Sequence, residues 1–363
     1  MVGDAGSYNA DGITARPWQK IKMEILPADE NQTITDLIWD FGNGKTSENY
    51  GDYKKRNNAK FEDIYYEQSE DRLGALSEYK LKITSGTDEA EFKVNIIDTQ
   101  FGTLYGDEVW RGEHIIKKEI IVPGNLKLQI GDTAHSEYDS DITCLCVGKI
   151  NPENKGGITV EQGGTLILDE GDAKTISFVQ AGFKDDIYCE AAEEDKSWQN
   201  RWKGIAVKGN LSGDRLDLCD ADCGLTVFPG VSIELSNSIK MENCANGILM
   251  NGISLKTKEI KLNKCSGYGL KLNSILECEK ILVTNCGRGI VLTENGSLTV
   301  DNLEIKDSIT GIHLLGGNLE IGSGRVSGCS EYGIKTDKDG SYNYESVIVE
   351  DNERNIYING LIR

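Results

Sequence analysis

NCANGILM (Asn243–Met250), KCSGYGLKL (Lys264–Leu272), NCGRGIVL (Asn285–Leu292), DSITGIHL (Asp307–Leu314), GCSEYGIKT (Gly328–Thr336) and DNERNIYI (Asp351–Ile358) are one phrase written six times. The residue before each apolar pair is Gly247, Gly269, Gly289, Gly311, Gly333 and then Asn355, in steps of 22, 20, 22, 22 and 22 residues. A fixed period of this size is the signature of stacked structural repeats. Within a unit the apolar residues come in pairs spaced by two, which puts both members on one face of a strand. One unit offers Ile248/Met250, Ile253/Leu255 and Ile260/Leu262, and another offers Ile290/Leu292, Leu298/Val300 and Leu303/Ile305. Three short strands per turn, separated by Gly, Asn and Asp, describe a three-sided coil whose turns stack about 4.8 Å apart as parallel sheets. The pattern predicts an all-β chain built on a parallel β-helix with three strands in each coil of about 22 residues. Leucine-rich repeats share the period but need a leucine and asparagine signature that these units lack.

A second column holds Ala221, Cys244, Cys265, Cys286, Ser308, Cys329 and Asn352. Read as chemistry, these are thiols for metal or redox work. Read as packing, they are small buried groups at a coil corner, and the Ala, Ser and Asn in the same column favour packing. The ten Cys show no zinc spacing, and a disulfide between Cys219 and Cys223 is open on this reading.

The chain has 363 residues, 59 acidic against 39 basic, and a net charge of −20, which argues against nucleic acid and anionic membranes as partners. No apolar run reaches membrane-spanning length, so membrane insertion is not expected, and Met1-Val-Gly-Asp does not read as a secretory signal.

Residues 1–16 read as a flexible lead-in, 17–98 as a small β-sandwich, 99–106 as a linker, and 107–363 as the coil with an acidic insertion at about 179–201. In the sandwich, KIKMEIL (Lys20–Leu26), AKFEDIYY (Ala59–Tyr66) and EYKLKITSGTDEAEFKVNII (Glu78–Ile97) read as strands, the last as a hairpin turning at Ser85–Asp88. Trp39-Asp40-Phe41-Gly42-Asn43-Gly44 places Trp39 and Phe41 on one face, as core, with the glycines supplying a turn. Asp40 suits a turn cap better than a calcium ligand. This hexapeptide resembles the WDFGDG motif of polycystic kidney disease (PKD) domains, which are immunoglobulin-like, and the later EYKLKIT resembles that family's YTVTLTV strand. Asn43 replaces the motif's Asp, and the stretch 50–76 diverges. The resemblance implies a spacer, or a protein- or carbohydrate-contacting domain of a secreted bacterial protein.

From Glu108 the chain resembles bacterial right-handed β-helix proteins. The likeness is carried by VPGNLKLQIG (Val122–Gly131), GGITVEQGGTLILDEGDAKTISF (Gly156–Phe178) and Trp202-Lys203-Gly204-Ile205. It covers about residues 107–363 and implies architecture, not chemistry. Enzymes of this fold mostly cleave acidic polysaccharides, but neither the NTD, DD, GHG and RIK set of the polygalacturonase-type hydrolases nor the RxPxxR stretch of pectate-lyase-type enzymes is present. His114, His135 and His313 fall in no Ser-His-Asp or HExxH order.

One column offers a site. The outward residue inside each first pair is Leu249, Lys271, Val291, His313, Lys335 and Tyr357, so His313, Lys335 and Tyr357 should form a contiguous row. As a site it would set a base and a cation on a uronate sugar, and as surface it is a mixed solvated column. Trp198, in the acidic insertion, is either a sugar-stacking ring or a side chain folded over the coil, whereas Trp202 reads as packing. No cofactor is identified. Calcium would suit the acidic pieces Asp169/Glu170/Asp172 and Asp214/Asp217/Asp220/Asp222, though they lack a loop motif.

The expectation is a non-catalytic extracellular or cell-surface protein that binds a polysaccharide or a surface protein. The alternatives are a lyase or hydrolase acting on acidic polysaccharide, and a structural stalk. The ligand and the oligomeric state are not fixed by the sequence.

Overall fold

In the computed structural model, the described residues are 7–9, 12–15, 21–24, 37–42, 60–64, 77–85, 88–96, 100–104, 106–110, 114–131, 142–147, 155–169, 176–184, 187–190, 201–358 and 361–362. They are all strand, turn or extended chain, and they fall into two compact units, a smaller N-terminal one and a parallel β-solenoid.

The N-terminal unit centres on antiparallel strands Leu37–Asp40, Ser77–Ser85 and Asp88–Ile96, the last two paired as far as Ser85↔Asp88. Trp39 and Phe41 are fully buried and stacked with centroids 6.1 Å apart. Asp40 caps the turn, accepting the Gly42 amide at 2.9 Å, and Gly42 sits at φ +75°. Within the stretch read as a flexible lead-in, Ser7–Asn9 and Gly12–Ala15 form strands, and Gly12–Ala15 pairs in parallel with Asp88–Ile96. Ile21–Glu24 pairs antiparallel with Lys60–Ile64.

In the solenoid, the short first strands pair in parallel, coil on coil, from His114–Val122 through Gly157–Val160, Ile205–Val207, Cys223–Val227, Asn246–Met250, Tyr268–Leu272, Arg288–Leu292, Thr310–Leu314 and Tyr332–Thr336 to Arg354–Ile358. The second and third expected strands run on as one ten-residue strand, for example Ile275–Thr284 over Ser297–Lys306. Its pairing skips one position per coil, at Lys258, Glu279, Asp301 and Gly322, which marks the bend between two sides of the coil. Ile290/Leu292, Leu298/Val300 and Leu303/Ile305 are all buried, each worth about 1.5–3 kcal/mol on leaving water. One pair is corrected. Ile253 is 56 % exposed, and the inward pair is Leu255/Thr257, because the strand begins one residue later than the apolar spacing suggested.

The glycine column has a steric cause. A Cβ on Gly247, Gly269, Gly289, Gly311 or Gly333 would lie 2.3–2.7 Å from the carbonyl oxygen of the next coil's column residue. None of these glycines needs positive φ, so close backbone approach alone demands them. Asn355 ends the column, and among the described residues no coil stacks beyond it. The left-handed conformation belongs to a different column, Asp220, Asn243, Lys264, Asn285, Asp307, Gly328 and Asp351, at φ 52–70°. Asn, Asp and Gly are the residues that tolerate it, and Lys264 is the exception.

The residue after each of these is the small column. Ala221, Cys244, Cys265, Cys286, Ser308 and Cys329 are all buried, as the packing reading requires. Trp202 bridges to Ala221, is fully buried and donates its indole N–H to the Cys219 carbonyl at 2.7 Å. Cys219 and Cys223 remain thiols, which answers the open disulfide.

Both ends of the stack are paired. Gln100–Thr103, inside the stretch read as a linker, lies along His114–Val122, and Glu108–Trp110 lies along Lys127–Ile130. At the other end Leu361–Ile362 folds back antiparallel on Arg354–Ile358. The strand Ile176–Lys184 continues past Phe178, paired as far as Val147↔Ala181, so the coil runs into the stretch read as an insertion. Trp198 lies outside the described residues.

Candidate functional site

The first strands carry two outward positions per coil, and strand pairing turns them into two columns on one lateral face. The inner column contains Thr226, Leu249, Lys271, Val291, His313, Lys335 and Tyr357, each paired with the next. His313, Lys335 and Tyr357 are therefore contiguous. Lys271 is separated from His313 by Val291.

Beside it runs a second column, three residues earlier in each strand: Tyr268, Arg288, Thr310, Tyr332 and Arg354. The two columns interlock over the last coils. Lys335 Nζ stands 5.6 Å from the centre of the Tyr332 ring, and the Arg354 guanidinium stands 5.2 Å from the same ring. Arg354 also donates to the Tyr332 hydroxyl at 2.7 Å. Tyr357 meets Tyr332 edge-on with centroids 5.5 Å apart. Three coils away, Lys271 Nζ lies 5.9 Å from the Tyr268 ring. Such cation–π contacts are worth about 0.5–1 kcal/mol at exposed sites, enough to hold long side chains over the rings.

Asp337, one residue beyond the strand, ties the centre together. Its Oδ2 lies 2.7 Å from His313 Nε2 and 3.2 Å from Lys335 Nζ. The hydrogen bond to His313, with Lys335 beside it, holds the Asp337 carboxyl below its usual range against a smaller opposing effect of burial. Val291 and His313 are only 3 % and 8 % exposed although they point outward, so their neighbours on the face screen them from solvent. The arrangement offers flat aromatic surface beside fixed cations, suited to a ring-bearing or anionic ligand. Reading only the position inside each apolar pair found Lys271, His313, Lys335 and Tyr357. It missed Tyr268, Arg288, Tyr332 and Arg354, which the same repeat register would have given three residues earlier.

A concavity of about 460 Å³ lies where the ten-residue strands bend, lined by Glu234, Lys256, Lys258, Glu277, Glu279 and Asp301 over Leu235 and Cys278. None of the candidate residues enters it. The acidic pieces suggested for calcium are engaged separately in the described part of the chain. Asp214 accepts from Ser236, Asp222 pairs with Lys155, and Asp220 is buried and accepts from Asn243 Nδ2 at 2.6 Å. Among the described residues no three His, Cys, Asp or Glu side chains gather in a way that would hold a metal ion.

The class defined by the fold is a parallel β-solenoid with a small antiparallel N-terminal unit, carrying an aromatic and cationic patch on one lateral face. No protein-family model, curated protein or solved structure matches the chain.

Proposed function

We propose that this is a non-catalytic extracellular or cell-surface binding protein that holds carbohydrate on the face formed by the first strands. The PKD-like reading of the N-terminal unit is part of the same proposal, as a spacer. The observation that carries it is Tyr332, whose ring centre lies 5.6 Å from Lys335 Nζ and 5.2 Å from the Arg354 guanidinium, with Tyr357 edge-on to it. A tyrosine ring presents an apolar face to the C–H face of a sugar, while the flanking lysine and arginine donate to its oxygens. A protein partner would use the same anchors, since Tyr and Arg are the side chains enriched at interface hot spots.

A second reading is favoured by His313 and Asp337, whose 2.7 Å contact is the arrangement that orients an imidazole as a general base. Lys335 would then be the cation on a uronate. One experiment tests both: incubation with neutral and acidic polysaccharides, following retention, new reducing ends and unsaturated-uronate absorbance. Retention without cleavage, lost in Tyr332→Ala, supports binding. Cleavage abolished by His313→Ala makes the protein an enzyme. If nothing is retained or cleaved, the carbohydrate reading fails and a protein partner or a stalk takes its place.

A further inference from the structure

The concavity of about 460 Å³ lies on the strands Ser232–Glu242, Ser254–Asn263, Ile275–Thr284 and Ser297–Lys306, away from the first-strand face. Coil by coil, its charged lining is Glu234, then Lys256 and Lys258, then Glu277 and Glu279, then Asp301. Strand pairing sets Lys256 directly between Glu234 and Glu277. One coil therefore contributes a band of two ammonium groups, and the next contributes a band of two carboxylates about 4.8 Å away. The inward residues between these side chains, Thr257 and Cys278, are buried and already donate to backbone carbonyls, of Asn237 and Lys258, at 3.2 Å each.

Bands of opposite sign this close can neutralise each other, yet these do not. Among the described residues none of Lys256, Lys258, Glu277 and Glu279 forms an ion pair. Just past the bend the same two strands do close such contacts. Glu259 takes Lys280, its partner in the next coil, at 3.3 Å, and Lys261 at 2.6 Å. Lys256 and Glu277 stand opposite each other in the same register and stay apart. Pairing geometry is common to both cases, so it does not separate them. What separates them is that Lys256 and Glu277 line the concavity and Glu259 and Lys280 do not. The result is a polarised cleft, positive in one coil and negative in the next.

We infer that this cleft binds a small zwitterion in which a primary ammonium group and an acid group are four bonds apart. The acid lies on Lys256 and Lys258, and the ammonium lies on Glu277 and Glu279. This site is separate from the carbohydrate face and uses none of its residues. Four bonds of about 1.5 Å in a zigzag span about 5 Å, which is one coil spacing. An α-amino acid holds its two charges only two bonds apart, about 2.5 Å, and cannot reach both bands. Each lysine offers three N–H donors to the acid's oxygens, and the two carboxylates accept from the ligand's ammonium. A plain anion on the lysines would face the carboxylates next door, and a plain amine on the carboxylates would face the lysines, so each is disfavoured by the band it cannot use.

The test is a ligand-observed NMR titration of the full chain at low salt with phosphoethanolamine and γ-aminobutyrate, set against free glycine, butyrate and butylamine. Tighter binding of either long zwitterion than of all three controls supports the inference, and the tighter of the two identifies the acid as phosphate or carboxylate. Lys258 and Glu279 are exposed, so Lys258→Gln and Glu279→Gln should keep the native circular dichroism. Each should weaken binding of the zwitterion about two- to fivefold, with the difference shrinking as salt rises. Tyr332→Ala, on the first-strand face, should leave it unchanged. Glycine binding as tightly as the long zwitterions overturns the match to the coil spacing. Butyrate or butylamine binding as tightly reduces the cleft to a site for one charge and overturns the zwitterion. Binding that survives both Gln variants, or that is lost in Tyr332→Ala, lies elsewhere and overturns the assignment, as does binding of none of the five.

Discussion

Replacing Gly289 by alanine tests the steric origin of the repeat. An alanine Cβ there would sit 2.5 Å from the Gly311 carbonyl oxygen, with Ile305 Cγ2 and Val283 Cγ1 at 3.2 and 3.3 Å. The oxygen is backbone, committed to the pairing of Arg288–Leu292 with Thr310–Leu314, and must retreat by roughly 0.9 Å before the contact becomes ordinary. Overpacking of this kind costs about 1–3 kcal/mol. Alanine returns about 0.4–1 kcal/mol by restricting the unfolded chain. The clash wins, with an expected net loss of about 1–2 kcal/mol. Asn355→Ala is the matched control, since a Cβ already exists there and no described coil lies over it. It forfeits only the contacts of Asn355 Oδ1 with Asn352, at 3.1 and 3.3 Å, worth about 1 kcal/mol. Urea unfolding followed by circular dichroism gives the total. Amide hydrogen exchange shows where the loss falls, because in a solenoid each coil leans only on its neighbours. Protection should drop in the strands 268–272, 288–292 and 310–314 for Gly289→Ala, and only near 347–358 for Asn355→Ala. An unchanged midpoint and unchanged exchange in Gly289→Ala would refute close approach as the reason for the glycine column.

Lys264 occupies a left-handed position at φ 53° where neighbouring coils use Asn243 and Asn285. Lys264→Asn should therefore raise stability by about 0.5–1 kcal/mol in the same urea assay, and a loss would count against strain at that corner. The buried thiols should be inert. Burial pushes Cys244 up to about 12 and Cys278 up to about 11, so iodoacetamide at pH 8 should spare both in the native protein and label both in urea, as read by mass spectrometry. Asp337 has a carboxyl whose folded value is depressed, so its stabilising contribution is complete above the ordinary carboxylate range and is lost as pH falls through the folded value. Its carboxyl carbon resonance should titrate below that of exposed aspartates, and Asp337→Asn should remove the acid-side loss of protection around 332–337. A titration at or above the ordinary value would contradict the His313–Asp337–Lys335 arrangement.

The coil, its period and most of its inward residues were legible in the repeat. Each turn must solve the same local problem, so Gly289, Cys286 and the pair Ile290/Leu292 recur in register wherever backbone and side chains meet the next turn in the same way. The repeat also set the row His313–Lys335–Tyr357, because a fixed register turns a sequence period into a spatial column. Alternation alone could not decide where a strand starts within the coil. Ile253 looked inward by spacing, but the chain bends in only after it, so it faces solvent and Thr257 takes the interior place. Nor could it join positions three residues apart across adjacent coils. That Arg354 and Lys335 close on the Tyr332 ring, and that Asp337 reaches back to His313, depends on side chains meeting across the gap between strands. The stacking distance and the side chains' reach across it settle those contacts, and only the folded stack supplies them.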